Sequence, residues 1–328
     1  MINPGAPTPI EAETAALIRR FRRQRPVRAG SLIVTIFGDA IAPRGGEIAL
    51  GSLIELTTPF GLNERLVRTS VSRLIAAGWL ASTRVGRRSL YALTPCGRER
   101  FAAATLRIYG QNPETWPGRW TLVVFGPNLG PRREQIRDEL AWLGFGQLAP
   151  GVHAHPTLSL DTTRAELTKL AALNDVTVLD GATHDAATDR RIADQAWDMA
   201  ELARRYRAFI TMFEPVDAVV ANDVAPPDVA FQIRTLLVHE YRKIHLRDPL
   251  LPTSLLPGNW IGTRAYALCA RLYAKVFASA EIHLEENAGT LTGPLPPPIA
   301  TTFERFGGLV RPTARPPKSD GAAIANSR

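Results

Sequence analysis

The sequence predicts an α+β protein built in three parts. Three observations carry this. The first third holds an amphipathic helix followed by two short strands. Between about 120 and 179 comes a strand–helix–strand–helix–strand succession. From 189 to about 283 the apolar spacing is almost continuously helical. The chain has 328 residues, 45% of them hydrophobic, enough for two or three domains with a sizeable core. No apolar run approaches the roughly 18–20 residues of a membrane span. The first residues, "MINPGAPTPIEAETAAL", lack a basic stretch followed by an apolar one, so no secretory signal is expected. Cys96 and Cys269 lie far apart, which argues against a disulfide framework or a cysteine zinc site. A cytoplasmic protein without membrane attachment and without a cofactor is the expectation.

Charge is distributed unevenly. Net charge is +8, and residues 1–110 hold 16 basic against 7 acidic residues, while 111–328 hold 23 against 24. All of the excess sits in the first third, which points to a polyanionic partner there.

Taken in order, residues 1–30 read as a mobile basic arm carrying "RRFRRQRPVRAG". A unit over 31–110 follows. In it "SLIVTIFGD" (31–39) fits either a helix or a strand, "PRGGE" is a turn, and 50–57 is a short helix broken by "TTPFG". Residues 62–77 form the next helix, with Asn63 as N-cap, Glu64 in the first turn and Gly78 closing the end. Residues 79–83 and 89–93 are strands joined by "RVGRR". Thr94 caps another helix with Pro95 at its first position. After the linker "NPETWPG", a second unit (111–185) opens with the strand "RWTLVVF". A helix over about 132–143, a turn and strand in "GQLAPGVHAHP", a helix over 164–173 and a strand over 176–179 complete it. That order suggests a small ferredoxin-like sandwich. A helical unit spans 186–290, with helices over 189–213, about 227–246 and about 258–283. The Pro-rich stretch from 291 to 328 is expected to be a disordered tail.

On the helix over 62–77, Val67, Val71, Leu74 and Ile75 share one side. Arg65, Arg68, Thr69 and Ser72 lie opposite, with Arg73 on the flank. A short helix, a Pro-Gly turn, this helix and a basic two-stranded ribbon make a winged helix-turn-helix, whose second helix enters the major groove of double-stranded DNA. There arginine pairs with guanine O6 and N7, and Asn63, Thr69 or Ser72 reach phosphate or a base edge. Arg84, Arg87 and Arg88 at the ribbon tip meet backbone phosphate or the minor groove. The arginines between 19 and 28 act as an arm that gains affinity by counterion release.

The arrangement "RLVRTSVSRLIAAGWL … GRRSLYALTPCGRERF" resembles the N-terminal domain of the PaaX family, whose DNA-binding domain is similar to that of GntR regulators. "RWTLVVFGPNLGPRREQIRDELAWLGFGQLAPGVHAHP" resembles the family's central domain, similar to a small CRISPR-associated ferredoxin-like endoribonuclease. "YRKIHLRDPLLPTSLLPGNWIGTRAYALCARLY" resembles its C-terminal helical domain. The resemblance runs from about 31 to 285. It implies a homodimeric repressor of phenylacetic-acid catabolic genes, released from its operator by an aryl-CoA effector, typically phenylacetyl-CoA. The central domain is then a dimerisation or spacing element.

Arg204 and Arg205 in "RRYRAF", and Arg242, Lys243 and Arg247 in "YRKIHLR", pair basic with aromatic residues and are candidates to hold the phosphates and adenine of a CoA effector. The alternative for them is helix surface and packing. "GPNLGPRRE", with Arg132 and Arg133 at a helix start, is a weaker phosphate candidate. His239 and Glu240 lack the second histidine four residues on that a zinc helix needs, since Lys243 stands there. His153 and His155 share a strand face without a third ligand, so no metal site is expected. The alternative functions are a repressor responding to a different acyl-CoA and a metal-dependent nuclease on the central unit. The nuclease would want a carboxylate at the end of the first strand, where the chain has Gly126, Pro127 and Asn128.

Overall fold

A computed structural model describes residues 7–24, 29–110, 115–127 and 129–309. Helix α1 (Pro9–Arg23) opens the chain, and its start is written locally. Thr8 accepts the N–H of Glu11, and the Glu11 carboxylate accepts the N–H of Thr8 in return. Ile10, Thr14, Leu17 and Phe21 form its buried stripe. The mobile arm expected over 1–30 is thereby corrected across 9–23: an apolar stripe with a capping box folds against a core, whatever the charge of its outer face. Residues 1–6 and 25–28 of that expectation lie outside the described residues.

The ambiguous run at 31–39 is helical: α2 (Ala29–Ile36) continues into a π-helical turn (Phe37–Ile41). A short strand β1 (Glu47–Ala49), of which only Glu47 falls in the expected "PRGGE" turn, leads into α3 (Leu50–Thr57). Then come α4 (Glu64–Ala76), the hairpin β2 (Leu80–Val85) and β3 (Arg88–Leu93), and α5 (Pro95–Tyr109). The three strands form an antiparallel sheet in the order β1-β3-β2.

The central unit runs β4 (Trp120–Phe125), α6 (Arg132–Trp142), β5 (Gly146–Ala149), β6 (Val152–His155), α7 (Leu160–Lys169) and β7 (Val176–Gly181). Its antiparallel sheet has the order β5-β6-β4-β7. "GQLAPGVHAHP" therefore holds two strands in a hairpin, one more than its sequence suggested. This unit has a core of its own around Val123, Ile136, Leu140, Phe145 and Leu167. His153 and His155 lie buried on its sheet, packed on the rings of Phe125 and Phe145. The N–H groups of Thr157 and Leu158 donate to His155 Nδ1 at 3.1 and 2.8 Å. Burial pushes the His155 ring down to about 4, with Arg107 adding to the shift.

The last unit comprises α8 (Ala186–Ala196), α9 (Met199–Val220), α10 (Pro227–His245) and α11 (Ile261–Asn287). Its core is continuous with that of the first unit: buried side chains of α1, α2, α9, α10 and α11 form one cluster. Phe21 sets its ring edge-on against Phe60 and His239 at 6.3 and 5.5 Å, which pins α1 between the two units. The expected disordered tail is corrected over 291–309. Leu295 is buried, and a 3-10 segment (Ala300–Gly307) buries Thr302 and Arg305. The tail from 310 to 328 lies outside the described residues, as do Asn128 and the start of the linker at 111–114.

A candidate nucleic-acid interface and a buried ion network

Helix α4 is fixed at both ends by its sequence. Asn63 Oδ1 accepts the N–H of Leu66 at 2.9 Å. At the other end Gly78 takes φ +72°, a left-handed conformation that glycine adopts without a Cβ clash. The N–H groups of Gly78 and Trp79 then donate back to Ile75 and Leu74, both at 2.9 Å. Val67 and Val71 are fully buried, and α4 packs on α2 and α3. Arg65, Arg68, Thr69, Ser72 and Arg73 all stand on the exposed side, as does the capping Asn63. Arg68 is held by Glu64 one turn back, Nη2 to Oε1 at 2.6 Å, with both side chains more than half exposed. The Thr69 hydroxyl donates to the Arg65 carbonyl at 2.9 Å.

The hairpin turns through Gly86 and Arg87, with Val85 opposite Arg88. Arg84, Arg87 and Arg88 are exposed at its tip, and Arg84 Nε donates to the Gly86 carbonyl at 3.1 Å. The reading-helix and ribbon residues chosen from sequence are thus all exposed. One arginine of α1 reaches the turn before α4. Arg22 lies directly over Gly61 (φ +80°) in the turn before α4, so close that a Cβ there would sit 2.1 Å from its Nε.

Four of the five candidates for effector contact are engaged by other groups of the chain. Arg204 and Arg205 both pair with Glu201 on their own helix. Lys243 Nζ lies 2.9 Å from Glu240, and Arg247 is exposed beyond α10. Arg242 is turned inward: Nε donates to Thr35 at 2.7 Å and Nη2 to the Ser31 carbonyl at 2.6 Å. Burial lowers its guanidinium to about 10. It ties α10 to α2, and a side chain so engaged is no surface clamp.

Sequence reasoning missed a buried ion network at the joint of the first and last units. Asp39, on the π-helical turn after α2, accepts Arg234 Nε at 2.7 Å and Arg305 Nη1 at 3.0 Å. The hydroxyls of Tyr109 and Tyr273 donate to its Oδ1 at 2.6 and 2.8 Å. Glu281 bridges Arg234 (2.5 Å) and Arg44. The five charged side chains are each 5% exposed or less. Burial alone would push the Asp39 carboxyl up; Arg234 and Arg305, aided by both tyrosines, outweigh it and hold the group below its ordinary value. Burial lowers Arg44 to about 10, with the neighbouring Arg234 adding to the shift.

Above this network lies a groove of about 640 Å³. One wall is α5, through Phe101, Ala102, Leu106 and Tyr109; the other is the segment carrying Thr302 and Arg305. Among the described residues, no cluster of three or more His, Cys, Asp or Glu is placed to hold a metal, and no helix is long and apolar enough to cross a membrane.

Three family models match the chain in succession. A PaaX-like protein model covers residues 28–97, a PaaX protein central Cas2-like domain 113–193, and a PaaX-like protein C-terminal domain 197–286. Transcriptional repressor PaaX of Escherichia coli (strain K12) is 37% identical over 290 residues, covering 87% of this chain and 92% of its own length. A solved structure, uncharacterized protein Rv0674 from Mycobacterium tuberculosis, aligns with a TM-score of 0.45 at 21% identity, over 70% of this chain and 89% of that one.

Proposed function

The chain belongs to the PaaX family, and from that premise we propose that it is a transcriptional repressor that binds an operator through α4 and is released by a small effector. The observation that carries the DNA-binding part is the outer face of α4. Arg65, Arg68, Thr69, Ser72 and Arg73 stand exposed opposite the buried Val67 and Val71, beside an arginine-tipped hairpin.

The first unit is read as a winged helix-turn-helix, with α3, the turn at 58–63 and α4 as its helix pair and β2–β3 as its wing. Arg65 and Arg68 reach base edges, Asn63, Thr69, Ser72 and Arg73 set the helix against phosphate, and Arg84, Arg87 and Arg88 clamp the neighbouring backbone. Helix α1 extends that basic surface in place of a free arm. The central unit is read as ferredoxin-like, which its sheet order supports, and serves to join two copies in a homodimer. A two-fold dimer would face a pseudo-palindromic operator with half-sites about 34–36 Å apart or a multiple of that. On the family resemblance, the effector is an aryl-CoA thioester such as phenylacetyl-CoA, and the target genes serve phenylacetate breakdown.

The test is a titration of labelled DNA from upstream of this gene and of any adjacent aromatic-degradation genes, alone and with phenylacetyl-CoA or phenylacetate. Tight binding abolished by the thioester is expected. Binding indifferent to both compounds would remove the effector and leave the DNA reader standing.

A further inference from the structure

The groove beside the Asp39 network has the features of a ligand site. Its volume of about 640 Å³ falls within the roughly 300–1,000 Å³ of small-molecule sites. Phe101, Leu106, Tyr109 and Ile299 give it an apolar, partly aromatic lining, and Arg98 stands at its exposed rim. Thr302 supplies an independent pointer. It is 2% exposed, it lines the groove, and its hydroxyl has no hydrogen-bond partner among the described residues. Buried hydroxyls are rarely left so, and one held just inside the wall of a groove is a donor that a ligand reaches once that wall shifts.

We propose that this groove is the effector site: it takes the aryl or acyl group of a ligand whose carbonyl oxygen accepts the Thr302 hydroxyl, with the ligand's anionic remainder leaving past Arg98. The proposal rests on the reading of the chain as an effector-released repressor. It also supplies the route of release. Tyr109 and Arg305 line the groove, and both bond Asp39 Oδ1, at 2.6 and 3.0 Å. Asp39 lies on the turn that continues α2, and α2 packs on α4. A ligand that draws Tyr109 or the 300–307 segment toward itself loosens the hold on Asp39, and with it the seat of the reading helix. It then favours a conformer whose α4 no longer fits the operator.

The experiment uses the full chain and three probes: phenylacetyl-CoA, phenylacetate and CoA. Binding is measured by calorimetry and operator release by fluorescence anisotropy. Ala102→Trp places an indole in the groove from an exposed position of α5, and Thr302→Val removes only the hydroxyl. Both variants should keep operator affinity within about twofold of the parent and keep its melting temperature. Ala102→Trp should weaken thioester binding by about 30-fold or more, and Thr302→Val by roughly 3–10-fold, the value of one hydrogen bond. Release should shift by the same factors. Binding of phenylacetate with the same sensitivity would support the groove with the free acid as its ligand; binding of the thioester alone would support it with the CoA conjugate. If both variants bind and release as the parent does, the groove is not the site although the effector reading survives. If the parent binds operator but none of the probes, the groove and the effector reading fall together and the DNA reader remains.

Discussion

Arg68→Ala is the sharpest test of the reading helix. A bidentate arginine–guanine pair is worth about 1–3 kcal/mol of discrimination. Against this stands the ion pair that Arg68 makes with Glu64 in the free protein, at 2.6 Å and with side-chain exposures of 55% and 57%. An exposed pair one helical turn apart contributes only about 0.3–0.5 kcal/mol, so leaving it for a base subtracts little. The net loss on replacement is about 0.5–2.7 kcal/mol per half-site, or roughly 2–90-fold in affinity. The same balance gives Glu64→Gln the opposite sign: it frees Arg68 and removes a carboxylate facing phosphate, so affinity should rise a few-fold. Anisotropy titrations on operator and on a random duplex of equal length, at one salt concentration, measure both. Arg68→Ala should fall far more on the operator than on the random duplex. Equal losses on the two DNAs would reduce Arg68 to a phosphate contact and refute the assignment.

Arg87→Ala should weaken all sequences alike and lower the slope of log affinity against log salt by about 0.9, one phosphate contact; an unchanged slope would take the hairpin tip off the DNA. Asp39→Asn leaves the buried Arg305 without its carboxylate and Arg234 sharing Glu281 with Arg44. It should cost about 3–5 kcal/mol, the price of breaking a buried pair, and lower the melting temperature by several degrees; a shift under 1 °C would remove the network as the joint between units. Acid should destabilise the protein between about pH 6.5 and 4. Burial lowers His155 and His245 to about 4 in the folded chain, so the unfolded chain takes up their protons first and stability falls as pH drops through that window. Each histidine contributes up to about 3 kcal/mol. Asp248, whose carboxyl burial pushes up, opposes them at the acid end. Melting temperature followed against pH should show the fall, and His155→Gln should remove part of its slope; a flat profile above pH 4.5 would contradict the burial of these rings.

What could be read from sequence was local. Asn63, Gly78, Thr94 and Pro95 mark helix ends by chemistry acting over three or four residues, and all four stand where they were expected. The arginine face of α4 followed from the spacing of Val67 and Val71. Helix α1 was legible too, through Thr8, Glu11 and the stripe from Ile10 to Phe21, but the surrounding arginines drew the reading toward an arm. The Asp39 network was not legible. Asp39, Arg234 and Glu281 each stand as a single charge in an apolar helical run, which signals burial without naming a partner. The partners lie 195 residues apart for Asp39 and Arg234 and 266 for Asp39 and Arg305. The inward turn of Arg242 was hidden for the same reason: whether a helical arginine faces solvent or a neighbouring helix is decided by tertiary packing. The segment at 300–307 follows "GPLPPP", a composition that reads as an ending, and only its docking on α5 and α11 reveals a wall of the groove.

The central claim is that α4 reads a DNA sequence. The most direct measurement is the ratio of dissociation constants for promoter DNA from upstream of this gene and for a random duplex, with the full chain at about 150 mM salt. A specific reader should bind the promoter at about 10 nM or tighter and the random duplex at least about 1,000-fold more weakly. A ratio near one would contradict the account and return the arginines of α4 to an ordinary solvated surface.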